Sequence, residues 1–193
     1  MSAFEFFFSL YGLVLGLSVV EIVSGFARLA HDARGVRIGL LTPALALLLL
    51  TDLCGFWLSA YHAYTDRPLD YVVVALALGA SALYYVAASV VFPRDLAREP
   101  DLDEVYLRHR RLVMLSIAAA GIVMFELVPS LTAEGRAFRL AFWTDLSASW
   151  QPLVFFACIP LILLTRRKGA NLALMLLMLG VNVASFLRLP ALA

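Results

Sequence analysis

The sequence predicts an all-α polytopic membrane protein, a helical bundle of six transmembrane helices formed by residues 1–193 as a single integral membrane domain. Apolar residues make up 63% of the chain and charged residues 15%, whereas a soluble domain is about 45–50% apolar and about 25% charged. This composition excludes a disordered chain and argues against a water-soluble globule or a nucleic-acid partner. The lipid bilayer is the expected environment.

Six apolar stretches are long enough, or nearly long enough, to cross a bilayer, which takes about 20 residues. They predict helices at about 4–29, 38–64, 69–92, 102–131, 138–164 and 170–188. Asp101 and Glu104 have the spacing of a helix-capping pair and predict the start of the fourth helix. The fifth stretch is the weakest, because residues 138–142 either extend it or lie along the membrane interface.

The Lys and Arg residues predict the orientation. Eleven of the 15 lie in the first, third and fifth connections, and the other four are Arg67, Arg136, Arg139 and Arg188. Because basic connections stay in the cytoplasm, we expect both termini outside the cytoplasm of a cell (inner) membrane. No basic residue precedes Phe4, so the first helix is interpreted as a retained span rather than a secretory signal.

Short motifs recur in the same order in the two halves of the chain. Gly16-x4-Glu21 is echoed by Gly121-x4-Glu126, and Thr51-Asp52-Leu53-x3-Trp57 by Thr144-Asp145-Leu146-x3-Trp150. Transporters are often built from such repeats. Three helices per half would place the second half upside down, so the motifs suggest an inverted 3+3 repeat.

Three carboxylates fall well inside predicted spans. Asp52 is close to the midplane, Glu21 lies roughly 7 Å toward the cytoplasmic side, and Glu126 lies roughly 7 Å toward the outside, at 1.5 Å per residue. A charged group at the bilayer centre costs about 2.5–3.5 kcal/mol even on the lenient insertion scale, and such groups are functional candidates by default. They would line a path for a proton, a small cation or a small solute.

Further polar side chains complete the predicted transport path. Ser18 shares a helix face with Glu21, and Ser59 and His62 share one with Asp52. Tyr85 shares a face of the third helix with Ser81 and Ser89, and Asn182 shares one of the sixth helix with Ser185. Such groups also form hydrogen bonds between helices in membrane proteins that transport nothing. A transport path and purely structural contacts therefore both stay open. Pro129 removes a backbone donor just after Glu126 and should bend the fourth helix.

Three glycines are predicted to serve helix packing. Gly12-x3-Gly16 is a close-packing motif on the side of the first helix away from Glu21, and Gly121 is the weaker counterpart in the fourth helix. The neighbouring helix belongs either to the same chain or to another one. A homo-oligomer or a membrane-protein partner is therefore expected.

No cofactor or metal site is predicted. Cys54 and Cys158 lie in apolar runs, His31 and His109 are weak candidates for haem ligation, and His62 with Asp66 is a weak candidate metal pair. The preferred function is transport or conduction of a proton, small cation or small solute, without an enzymatic activity. The alternatives are a non-catalytic subunit of a larger membrane complex and, more weakly, a membrane enzyme acting on lipid.

Overall fold

The computed structural model describes residues 2–32, 35–64 and 70–187, and over these ranges the chain is an all-α bundle without β-strands. A short 3₁₀ turn at Leu96–Arg98 precedes α4. The seven helices are α1 (Ala3–Asp32), α2 (Leu41–Tyr64), α3 (Tyr71–Val91), α4 (Leu102–Ser130), α5 (Ala133–Thr144), α6 (Leu146–Leu164) and α7 (Lys168–Phe186).

The predicted all-α bundle is confirmed. Helices α1, α2, α3, α4 and α7 are each long and apolar enough to cross a membrane, and α5 with α6 make a sixth candidate if the bent pair is one span. The chain is therefore a multi-pass membrane protein. Of the predicted boundaries, residues 69 and 188 lie outside the described ranges.

The predicted fifth helix at 138–164 is not continuous. The chain leaves helical geometry at Asp145, whose side chain accepts a hydrogen bond from the Ser147 backbone N–H at 2.9 Å and so caps α6. The axes of α5 and α6 differ by 82°. A short polar residue that bonds the first free N–H groups of the next helix ends one helix and begins another.

Helix α2 contacts four other helices of the bundle. It packs against α1, α3, α4 and α7, while α3 lies between α1 and α4. Helices α2, α4 and α7 begin at the same end of the bundle, because Thr42 donates a hydrogen bond to the Leu102 carbonyl at 2.6 Å and Lys168 lies 3.1 Å from Glu104.

We call this the basic end, because ten of the twelve described Lys and Arg residues lie at or near it, and we call the other end the far end. The basic-end residues are Arg28, Arg37, Arg94, Arg98, Arg108, Arg110, Arg111, Arg166, Arg167 and Lys168. The far end carries Arg136 and Arg139. Arg34, Arg67 and Arg188, which the orientation prediction also used, lie outside the described ranges.

The recurring Thr-Asp-Leu motifs occupy different structural positions. Asp52 lies in the middle of α2, whereas Asp145 lies in the break between α5 and α6. Helix α1 packs extensively on α3, while α4 meets α7 mainly where Tyr106 contacts Asn171 at the basic end. The inverted 3+3 repeat stays a prediction.

Candidate functional site

The Asp52 side chain lies at the centre of the bundle. Asp52 is the twelfth of the 24 residues of α2, which packs against four other helices. One turn of α2 away, Phe56 is buried, and Gly55 packs against Phe186 of α7. The sequence predicted this depth for Asp52, and the fold adds the helices that surround it.

Two neutral side chains donate hydrogen bonds to the Asp52 carboxylate, one from each flanking helix. The Tyr84 hydroxyl of α3 lies 2.7 Å from Oδ2, and the Asn182 amide nitrogen of α7 lies 3.5 Å from Oδ1. The first distance is ideal for an O–H donor and the second is at the outer limit for N–H. The carboxylate is therefore held firmly by α3 and loosely by α7.

Aromatic packing fixes the position of Tyr84. Its ring lies 4.7 Å from the ring of Phe56, which in turn lies 6.0 Å from the ring of Tyr11. Tyr11 and Tyr84 are fully or almost fully buried, and the Tyr11 hydroxyl donates to the Phe56 carbonyl at 3.5 Å. Because the two tyrosines are enclosed in the core, the Tyr84 hydroxyl is presented to Asp52 by a rigid neighbourhood.

Among the described residues, no Lys, Arg or His side chain pairs with Asp52. A buried ion pair would hold the carboxylate permanently charged. Tyr84 and Asn182 supply only partial charges, so the carboxylate is stabilised without being neutralised. This arrangement can bind a proton or a small cation and release it again.

Glu126 has a different environment at the far end. It lies in a π-helical turn, Val123–Leu127, in which the Val128 backbone N–H bonds to the Val123 carbonyl. Its carboxylate accepts a hydrogen bond from Trp143 Nε1 at 2.6 Å and pairs with Arg139 at 3.2 Å. Glu126 therefore holds α5 against the end of α4. The predicted disturbance near Pro129 takes the form of this π turn.

Glu21 is half-buried on the flank of α1, and no hydrogen bond or ion pair to another described residue is found for it. The three carboxylates thus belong to separate environments. Asp52 contacts α3 and α7, Glu126 contacts α5, and Glu21 contacts none of the groups that hold the other two.

The remaining path residues are distributed around the bundle. Ser18 is buried and donates to the Val14 carbonyl of its own helix, Ser59 is half-buried, and His62 is exposed. The side of α3 that faces the bundle differs from the prediction. Tyr85, the predicted path residue, is 38% exposed, whereas the adjacent Tyr84 points inward to Asp52. Asp66, the predicted partner of His62, lies outside the described ranges.

The three glycines have different surroundings. A Cβ on Gly12 would lie 3.5 Å from Trp57 Nε1, and one on Gly121 would lie 2.6 Å from Phe156 Cζ, so both glycines pack against a neighbouring helix. A Cβ on Gly16 would have no atom within 4 Å. Gly12 therefore packs against α2 within the chain, whereas no described atom packs closely against Gly16.

A buried polar cluster at the basic end was not identified from the sequence. Tyr106 donates to Asn171 Oδ1 at 2.7 Å, and Arg110 donates to the same oxygen at 3.3 Å and to the Thr165 carbonyl. All three side chains are almost fully buried. The signal that the sequence offered was Arg110, one turn after Tyr106 in the same helix.

The described residues contain no group of three or more His, Cys, Asp or Glu side chains placed to hold a metal ion. Comparisons with protein-family models, with curated proteins and with solved structures found no match. The functional argument therefore depends on the site's own chemistry.

Proposed function

We propose that this multi-pass membrane protein transports a proton or a small cation and that Asp52 is its central binding site. The observation that carries the proposal is the Asp52 carboxylate, held in the middle of the bundle by the neutral donors Tyr84 and Asn182. Ionisable groups in such positions are costly and mark ion pathways or proton relays. A purely structural contact between helices could be made by a neutral residue at lower cost.

The unequal hydrogen bonds to Asp52 suggest how binding is coupled to motion. Protonation of Oδ1 would replace the weak bond from Asn182 with an O–H donor on Asp52, while the short bond from Tyr84 to Oδ2 could remain. The contact between α2 and α7 would then change more than the contact between α2 and α3. Helix α7 is therefore the element expected to respond to loading of the site.

The other two carboxylates receive different roles in this proposal. Glu126 is engaged by Arg139 and Trp143 and is assigned to positioning α5. Glu21, which lies nearer the basic end and lacks such a partner among the described residues, is a candidate accessory site. We propose that the basic end faces the cytoplasm of a cell membrane, because basic connections are retained there.

The transport proposal is tested with purified protein in liposomes under imposed proton, sodium and potassium gradients, each with an entrapped dye sensitive to the ion tested. We expect flux of one of these ions in the wild type and its loss in Asp52→Asn. Asp145→Asn is the matched control, because it makes the same substitution in the second Thr-Asp-Leu motif at an exposed cap that Asn also serves. Undiminished flux in Asp52→Asn would remove Asp52 from the route.

The alternative is a non-transporting subunit that assembles with a second membrane protein. The open surface at Gly16 favours it, because small residues allow close approach of another helix. Absence of flux of all three ions in the wild type, together with loss of a higher-order assembly in Gly16→Leu, would support this function instead.

A further inference from the structure

Helix α6 is long enough to cross the membrane without α5. Its 19 residues, Leu146–Leu164, extend about 28 Å at 1.5 Å per residue, which is close to the roughly 30 Å of the hydrocarbon core. The helix contains no charged residue. Its internal Pro152 and Pro160 are compatible with a membrane helix, since neighbouring helices can satisfy the freed backbone groups.

Helix α5 runs nearly at right angles to α6. The 82° bend at Asp145 therefore directs α5 along the membrane plane if α6 crosses the bilayer. Since α5 connects the far end of α4 with the start of α6, it lies at the boundary between lipid and water. A helix of 12 residues is also too short to cross by itself.

The inner face of α5 is fixed to the end of α4. Arg139 and Trp143 bind Glu126, and Arg136 donates to the Ser130 carbonyl at 2.8 Å. Gly135 lies so close to the Pro129 carbonyl that a side chain at this position would collide with it. These contacts determine which side of α5 faces away from the bundle.

Large apolar side chains are exposed on the flanks of α5 and next to its two ends. Phe138 is 63% exposed and Leu140 is 67% exposed, with exposed Leu131 before the helix and Leu146 after it. Phe138 and Leu140 are two residues apart and so point about 160° apart, one from each flank of the side that contacts α4. Apolar side chains on both flanks of a helix that lies along the membrane plane reach the boundary between headgroups and acyl chains.

We propose that α5 is an interfacial helix whose partner is the lipid leaflet at the far end, with Phe138 and Leu140 inserted just below the headgroups. The bilayer is therefore crossed six times, by α1, α2, α3, α4, α6 and α7. The Glu126 contacts hold α5 at this depth. The inference concerns α5 alone and stands whether or not Asp52 carries an ion.

Single cysteines carrying an environment-sensitive fluorophore test the depth of α5. They are placed at Phe138, at Leu140 and, on the exposed side opposite Gly135 and Arg139, at Ala137 and Ala141. The background has Cys54 and Cys158 replaced by alanine. The labelled protein is reconstituted in vesicles of phosphatidylcholine and phosphatidylglycerol. Quenching is then compared for lipids with a nitroxide near the headgroup, lipids with a nitroxide near the chain end, and iodide in the water.

We expect labels at Phe138 and Leu140 to be quenched most by the nitroxide near the headgroup and labels at Ala137 and Ala141 to be quenched by iodide. Stronger quenching of the first pair by the nitroxide near the chain end would overturn the proposal by making α5 part of a span. Iodide quenching of that pair would overturn it by placing the apolar flanks in water. If the substitution of Phe138 or Leu140 disturbs folding, a label at Leu146, outside α5, provides a second measurement of membrane depth.

Discussion

Asp103 occupies the space that a side chain on Gly39 would need. Gly39 has a backbone φ of +62°, and a Cβ there would collide with the Asp103 carboxylate. Asp103 Oδ1 instead accepts a hydrogen bond from the Leu41 backbone N–H at 3.1 Å. The missing side chain thus allows an acid at the start of α4 to satisfy a free donor at the start of α2.

This relationship predicts that Gly39→Ala destabilises the bundle. The left-handed conformation disfavours alanine, and the displaced carboxylate would lose its bond to Leu41, so we expect a cost of about 1–3 kcal/mol. Gly35→Ala is the matched control, because Gly35 also has a positive φ, of +84°, but open space around it. Thermal unfolding in detergent measures both, and equal losses for the two variants would show that the Asp103 contact is unimportant.

The hydrogen bond between Tyr84 and Asp52 predicts different outcomes for two neighbouring tyrosines. Tyr84→Phe removes the 2.7 Å bond and leaves a half-buried carboxylate with one weak donor, which should cost about 1–3 kcal/mol. Tyr85→Phe changes an exposed hydroxyl and should stay within about 0.5 kcal/mol. Thermal stability is measured for both, together with ion flux if the wild type transports. A larger effect at Tyr85 would contradict the inward orientation of Tyr84.

The sequence was sufficient to predict the spans, because a helix in lipid must be apolar over its whole length. The same uniformity hides which side of a helix faces its neighbours. In α3, Ser81 and Ser89 lie one turn before and after Tyr85 and favoured it as the path residue. The side chain of Tyr84 points about 100° away from that face. Helix–helix contacts alone determine that Tyr84 reaches Asp52.

The break at Asp145 and the burial of Arg110 were not predicted, for different reasons. The signal at Asp145 is local, because a short polar residue can cap the next helix, but it lies inside the range 138–164 that was interpreted as one span. Arg110 reads as one of several basic residues at a membrane boundary. Its burial follows from the approach of Thr165 and Asn171, which lie more than 50 residues later in the chain.

The cluster at the basic end predicts that arginine at position 110 cannot be replaced by lysine without loss. Nη1 of Arg110 donates to both the Thr165 carbonyl and Asn171 Oδ1. Lysine would replace the planar, weakly hydrated guanidinium with a compact, strongly hydrated ammonium in this buried cluster. We expect Arg110→Lys to cost about 1–3 kcal/mol. Arg111→Lys, on the exposed side of the same helix, should be nearly neutral in the same unfolding measurement. Equal stability of the two variants would argue against the buried cluster.

The ion pair between Glu126 and Arg139 predicts a measurable coupling between α4 and α5. A double-mutant cycle of Glu126→Gln and Arg139→Gln isolates this pair, whose side chains are each about one-third exposed. Polar contacts in membrane proteins average about 0.6 kcal/mol in such cycles, and we expect a favourable coupling of that size. Additive losses would show that α5 is held by Trp143 and backbone contacts alone. Trp143→Phe then measures the remaining contribution.

The packing of Gly121 against α6 predicts that added volume is tolerated poorly there. A Cβ would lie 2.6 Å from Phe156 Cζ, so the ring or the helix must shift, and overpacking of this kind costs about 1–3 kcal/mol. Gly16→Ala is the control, because nothing lies within 4 Å of the new Cβ and alanine favours a helix by roughly 1 kcal/mol over glycine. We therefore expect Gly121→Ala to lower the temperature of thermal unfolding and Gly16→Ala to raise it. Destabilisation of Gly16→Ala together with loss of an oligomer would reveal a partner helix at that surface.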